Sequence, residues 1–246
     1  MTEYDEQKRP LLSRRGAMVL LGATGAIWLI GGKLASAQAI ADTSRSPCIV
    51  RPEQTEGPYF VDERLLRTDI RSDPTNGTIR PGAPLALTFH ISRIHAAECH
   101  PLPDAQVDVW HCDAMGVYSD VRDPGFSTAG QKFLRGYQLT DTQGTARFLT
   151  IYPGWYPIRT VHIHFKIRTA PMAKKRYEFT SQLYFPDELT DRVHTALPYS
   201  SQGRRRVRNH QDFIFRDSGE QLILKPSITK TNGGYTATFP IGLELS

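Results

Sequence analysis

Cysteine is scarce in this chain. Its three residues, Cys48, Cys99 and Cys112, form no Cys-x-x-Cys pair, so a thiolate metal site of the usual spacing is excluded. In an oxidising compartment they allow one disulfide and one free thiol, with the pairing left open. Long apolar runs are few as well. The single candidate lies near the start, from Ala17 to Gly32, and it is glycine-rich and short against the ~20 apolar residues that a spanning helix needs. There is no internal repeat, no low-complexity tract and no period to the 19 glycines and 17 prolines, which excludes solenoid, collagen-like and disordered classes and leaves a turn-rich globular chain. Charge is spread rather than blocked. The net +5 contains one run, RRRVR at 204–208, expected to be a solvated loop, with steering of acidic substrates, or contact with a nucleic acid or an anionic surface, as the lesser reading. No nucleic-acid partner is expected.

What is present begins with a leader. Ser13-Arg14-Arg15 precedes the apolar run, and Ala35-Ser36-Ala37 supplies the small residues a signal peptidase accepts. A twin arginine before a modest apolar segment is the pattern of a Tat signal. Residues 1–37 are therefore expected to be a Tat-type signal peptide. Residues 38–246 are expected to form one exported domain, periplasmic or extracellular, with no stable membrane insertion once the signal is removed.

In that domain residues 38–50 look like a mobile lead-in, and the polar, turn-rich stretch 51–80 like a long loop wrapping the fold. Short strand patterns follow at spacings near ten residues: PLALTFHISRI, AQVDVWHC, FLRGYQLT, ARFLTIY, VHIHFKIR and YEFTSQLYF. Asn232-Gly233-Gly234 marks a closing hairpin. Helical periodicity is confined to DELTDRVHTAL at 187–197. Many short strands and little helix indicate an all-β sandwich or barrel.

The chemistry gathers in YPGWYPIRTVHIHFKI, 152–167. Alternation along a strand puts His162 and His164 on one face and Val161, Ile163 and Phe165 on the other. One histidine there would be ordinary packing; two at i and i+2 suit neighbouring coordination positions of one metal. The residue two after His164 is Lys166, so no local carboxylate completes an iron(II) triad, and a zinc hydrolase would lack its general base. The polar neighbours are tyrosines. A phenol, with a reference pKa near 10, ligates at neutral pH only to a strongly Lewis-acidic cation, which favours Fe(III). Tyr152 reads as strand core, and His95 and His111 as ordinary histidines.

With PEQTEGPYF, PLPDAQVDVWHCDAMGVYSD, FLRGYQLTDTQGTARFLTIYPGWY, RTVHIHFKI and TSQLYFP, the chain resembles the intradiol ring-cleavage dioxygenases, the family of protocatechuate 3,4-dioxygenase and the catechol 1,2-dioxygenases, and most closely its small exported members. The resemblance spans roughly Cys48 to Gly242 and implies a prealbumin-like β-sandwich with long wrapping loops. It implies one Fe(III) per chain held by Tyr118 (in G-x-Y), Tyr156 (in P-G-x-Y), His162 and His164. It implies Arg159, Tyr156 and Gln182 as catalytic groups, and Thr55, Gly57 and Pro58 as a substrate-contacting segment. The implied reaction is cleavage of a catechol-type ring with O₂ to a cis,cis-muconate-type product. Five residues separate Tyr156 from His162, fewer than in protocatechuate 3,4-dioxygenase, so the ring substituent does not carry over. No counterpart of the helical domain by which catechol dioxygenases dimerise is expected, and a homo-oligomer stays open. The rival expectation is an exported prealbumin-like module that binds and does no chemistry; it has no use for the tyrosine and histidine set.

Overall fold

The computed structural model describes residues 48–96, 98–123, 126–169, 177–229 and 233–245; the expected leader lies outside them. The strands are β1 (Pro84–His95), β2 (Glu98–Pro101), β3 (Gln106–Trp110), β4 (Arg122–Asp123), β5 (Phe126–Ser127), β6 (Arg135–Leu139), β7 (Thr145–Ile151), β8 (His162–Arg168), β9 (Glu178–Tyr184), β10 (Ser227–Ile228) and β11 (Tyr235–Glu244). Two short helices, α1 (Asp187–Val193) and α2 (Phe215–Ser218), follow β9. The first lies inside the stretch whose periodicity marked it.

One sheet runs β10-β11-β1-β2, with β7 also paired to β1; the other runs β6-β3-β8-β9. The long β1 makes this possible. It pairs in parallel with β11 from Leu85↔Tyr235 to Ile94↔Glu244. Antiparallel partners take its other edge, β7 along Pro84 to His90 and β2 along Ser92 to His95. β10 and β11 close an antiparallel hairpin, as the Asn-Gly-Gly signal predicts.

The sheets pack as a sandwich. Leu85, Leu87, Phe89 and Ile91 alternate inward along β1 and meet Val107 and Val109 of β3 and Ile163, Phe165 and Ile167 of β8 in one cluster. Phe165 lies 5.3 Å from Phe89 and 5.5 Å from Phe239 between ring centroids, so aromatic contacts bridge the layers. β8 is buried on both faces over its first six residues. Its inner face meets the opposite sheet, and its outer face, with His162, His164 and Lys166, is covered by the strap that 51–80 forms.

That strap is held by the strands beneath it. Gln54 N–H donates to Thr180 O (2.9 Å), Ser181 Oγ donates to Pro52 O (2.8 Å), and Lys166 pairs with Glu56 while its ammonium sits 4.5 Å from the centre of the Phe60 ring. The lead-in departs from expectation at its end. Cys48 is disulfide-bonded to Cys99, with Cα atoms 5.6 Å apart, and Ile49 O accepts the Gly242 N–H at 2.8 Å, so residues 48–50 are pinned rather than mobile. The basic run also departs from it in part. Arg204, Arg206 and Arg208 are exposed, whereas the Arg205 side chain is 5% exposed and pairs with Asp187 (2.6 Å) and Asp191 (2.8 Å), because α1 presents both carboxylates to it. Among the described residues no helix is long and apolar enough to cross a membrane.

Candidate metal centre

Two turns and one strand carry the four candidate ligands. Tyr118 follows a turn in which Asp113 Oδ1 accepts the backbone N–H groups of Met115 (2.9 Å) and Val117 (3.0 Å). Tyr156 follows Pro153-Gly154-Trp155. The turns touch backbone to backbone: Gly154 N–H donates to Asp113 O at 3.0 Å. A Cβ on Gly154 would fall 2.3 Å from Ala114 O, and one on Gly116 would fall 2.1 Å from Trp155 O. Gly116 also needs its φ of +76°. The two glycines thus let the tyrosine-bearing turns interlock, and the Tyr118 and Tyr156 rings meet edge-on with centroids 5.7 Å apart.

His162 and His164 project from β8 toward the same place, with Nε2 atoms 2.9 Å apart. His162 Nδ1 lies 2.6 Å from Thr160 O. A carbonyl can only accept, so Nδ1 carries the proton and Nε2 presents its lone pair. Tyr156 Oη sits 3.2 Å from that Nε2. The His164 ring is stacked on Trp110, with centroids 5.0 Å apart and planes 7° apart.

The donors fit a metal ion. The Tyr118 hydroxyl is buried with no hydrogen-bond partner among the described residues, a state that needs an explanation. Two nitrogens bound at ~2.1 Å with a right angle between them stand ~3 Å apart, which is the spacing seen for the imidazoles. Burial, reinforced by the Arg159 charge, holds both histidines well below their ordinary range; they are therefore neutral, the form that ligates. Burial also raises the Tyr118 and Tyr156 phenols, so a cation must itself displace their protons, which selects a strong Lewis acid. No group of three or more His, Cys, Asp and Glu able to hold a metal occurs among the described residues, and the set therefore depends on its tyrosines.

Arg159 lies beside this centre, 7% exposed. Its Nε donates to Asp212 Oδ2 (2.8 Å) and one terminal nitrogen donates to Gln182 Oε1 (2.6 Å). Gln182 Nε2 donates in turn to Thr55 O at 3.0 Å, which joins the arginine to the strap. Gly57, with φ +72°, lies over His164, where a Cβ would stand 3.3 Å from Cε1. Thr55 and Pro58, which flank this part of the strap, are exposed. Tyr118, Tyr156, His162, His164, Arg159, Gln182 and Gly57 thus fall in one neighbourhood, and Thr55 is joined to it through its carbonyl oxygen. The three set aside do not join it as donors. Tyr152 is buried with its hydroxyl 2.7 Å from Thr190 Oγ1. Both nitrogens of His111 are used, on Cys112 O and Thr150 Oγ1. His95 is exposed.

The sequence model of a family described as dioxygenase matches residues 55–232. The chain belongs to the intradiol ring-cleavage dioxygenase family. It is 31% identical over 133 residues to a hydroxyquinol 1,2-dioxygenase of Corynebacterium glutamicum, covering 47% of this chain and 40% of that protein. It is 30% identical over 125 residues to the protocatechuate 3,4-dioxygenase beta chain of Burkholderia cepacia, covering 47% and 52%. The matches thus span about half the length of these relatives or less. A solved intradiol ring-cleavage dioxygenase of Tetranychus urticae superposes with a TM-score of 0.70 at 28% identity, covering 80% of this chain and 95% of that one.

Three neighbours of the centre in this family member escaped the reading of the sequence. Tyr59 stacks on Tyr118 with centroids 4.5 Å apart and donates to Asp123 Oδ2 at 2.7 Å; burial and that carboxylate push its phenol up to about 12. Trp110, at the end of β3, stacks on the His164 ring. Asp212 stands far from every motif. The signal available for Tyr59 was its place in the same GPYF stretch as Gly57 and Pro58.

Proposed function

We propose that the chain is an exported intradiol dioxygenase that uses one Fe(III) to cleave a catechol-type ring with O₂, incorporating both oxygen atoms to give a cis,cis-muconate-type product. The observation that carries this is the convergence of Tyr118, Tyr156, His162 and His164, with a buried unpartnered phenol and two imidazole Nε2 atoms 2.9 Å apart. Bound by these four side chains, Fe(III) would supply the Lewis acidity that makes two adjacent ring oxygens chelate and the electron-accepting character that opens the ring to O₂.

The chain's own groups do the rest. Tyr156 is part-exposed where Tyr118 is 1% exposed, so the Tyr156 oxygen, as the phenolate that a bound cation would make of it, would be the one placed to take a proton from an incoming catechol hydroxyl. Arg159 presents a permanent, planar cation beside the ring and stabilises negative charge as it develops there. Gln182 holds that guanidinium. Trp110, Tyr59 and Phe60 wall the centre and, with the strap at Thr55, Gly57 and Pro58, limit water. The Cys48–Cys99 disulfide supports the export that the leader pattern predicts. The rival module, which binds without chemistry, gains no support from any relative.

The test is turnover of catechol under ¹⁸O₂. Two labelled oxygens in a ring-opened diacid are expected. A product labelled only from water, or no oxygen consumption by iron-loaded protein, would overturn the proposal.

A further inference from the structure

Asp212 is fully buried, and both of its oxygens are spoken for. Oδ2 accepts from Arg159 Nε (2.8 Å) and from the Thr160 backbone N–H (2.7 Å). Oδ1 accepts the backbone N–H groups of Ile214 (2.8 Å) and Phe215 (3.0 Å) at the start of α2. Four donors saturate a carboxylate. A buried carboxylate is costly unless paired and hydrogen-bonded in this way, so the site is built around its charge. Arg159 is held at two of its three nitrogens, Nε on Asp212 and one terminal nitrogen on Gln182 Oε1. Its remaining terminal nitrogen has no protein hydrogen bond among the described residues and is the donor left for a substrate.

Gln182 alone does not fix the guanidinium. Its amide is shared, with Nε2 on Thr55 O (3.0 Å) and Oε1 also 3.2 Å from the Tyr184 hydroxyl. A single neutral contact at one end of the fork leaves the arginine free to rotate about its long axis. The charged contact at Nε removes that freedom, as second contacts do for metal-bound histidines.

We propose that Asp212 is the positioning residue of Arg159: by gripping Nε from the α2 side it aims the free terminal nitrogen at the reacting ring. This rests on the dioxygenase reading above for its catalytic consequence, but not for its geometry. Asp212 hydrogen-bonds Arg159, Thr160, Ile214 and Phe215 and none of the four candidate ligands. The Asp212→Ala change is the probe, because it removes every acceptor from Arg159 Nε; an asparagine could turn its amide oxygen to Nε, lose only the Ile214 and Phe215 bonds, and keep the grip.

Two measurements on iron-loaded protein decide the matter. In a crystal structure of the Asp212→Ala variant, the Arg159 guanidinium should leave its place against Gln182 Oε1; a guanidinium unmoved from that place would overturn the proposal. In kinetics with catechol, normalised to bound iron, kcat should fall ~10–100-fold, as for a catalytic group displaced by about 1 Å, with KM changed by less than ~3-fold because the arginine keeps its charge. The decisive comparison is a cycle with Arg159→Ala. If Asp212 acts through Arg159, the Arg159→Ala/Asp212→Ala protein turns over as fast per iron as Arg159→Ala alone, since there is nothing left to aim. An Asp212→Ala change that slows the Arg159→Ala background as much as it slows the parent would give Asp212 a merely structural role and overturn the proposal. If the parent itself failed to cleave catechol, the functional reading would fall, and the crystallographic arm would still decide whether Asp212 positions Arg159.

Discussion

Replacing Gly154 by alanine adds one methyl group where the two tyrosine-bearing turns meet. That carbon would lie 2.3 Å from Ala114 O, 2.5 Å from Ala114 C and 2.6 Å from Asp113 O. All three are main-chain atoms, so no side chain can swing aside. Ordinary van der Waals separation is about 3.4 Å or more, so the turns must part by about 1 Å, lengthening the Gly154 N–H to Asp113 O bond. Overpacking of this kind costs about 1–3 kcal/mol, which for a domain of this size lowers the midpoint of thermal unfolding by about 2–12 °C. The consequence for the site is larger. Tyr118 and Tyr156 sit on opposite sides of the seam, and a shift of about 1 Å can cost about 10²-fold in rate. We expect Gly154→Ala to bind less than half the parent's iron and to lose about 10²-fold in catechol cleavage. Gly77→Ala is the control. Gly77, unlike Gly154, has positive φ, but a Cβ there meets nothing within 4 Å, so Gly77→Ala should lose about 1 kcal/mol of stability to backbone strain alone and keep its iron. A Gly154→Ala protein with unchanged melting, iron content and rate would refute the claim that this backbone seam sets the ligand geometry.

Tyr118→Phe removes the buried, otherwise unpartnered hydroxyl and nothing else; it should lower the iron bound per chain, by metal analysis, or weaken and shift the visible absorption of what iron stays, while the unfolding midpoint of the metal-free protein stays within a few degrees. His111 is fully buried and its pKa is lowered by burial to about 4. The unfolded chain takes up a proton below about pH 6.5 and the folded one only near pH 4, so stability present above 6.5 is lost as pH falls toward 4, by about 3 kcal/mol at most. Urea unfolding at pH 7.5 and 4.5 should show that loss shrink by about 2–3 kcal/mol in His111→Gln. Removing the Cys48–Cys99 bond, which closes a separation of 51 residues, by a paired change to serine should cost about 2–4 kcal/mol, read by the same unfolding assay.

The parts of the site that could be read in the sequence were those fixed by local geometry. His162 and His164 share a face because a strand alternates, and that alternation survives whatever packs above it. The interlock of Gly116 and Gly154 is equally local in its parts, since each sits in a recognisable turn, but that the turns touch is a tertiary fact. Asp212 was out of reach for the opposite reason. It lies in a polar stretch after the basic run, with nothing nearby in sequence to match it to Arg159, 53 residues before it. Most of the strands were legible from alternation; the parallel pairing of β1 with β11 was not, because register between ends of the chain is set by the assembled core. Arg205 looked solvated from composition alone, and became a buried ion pair only once α1 brought Asp187 and Asp191 beside it.

The central claim is that four side chains, two phenols and two imidazoles, hold one ferric ion. Diffraction from crystals of the iron-loaded protein, collected on both sides of the iron absorption edge, tests it directly. The account predicts one anomalous peak per chain, present above the edge and absent below it, within bonding distance of Tyr118 Oη, Tyr156 Oη, His162 Nε2 and His164 Nε2. A peak that follows the zinc edge instead, or an iron peak that either tyrosine oxygen or either histidine nitrogen fails to reach, would contradict it.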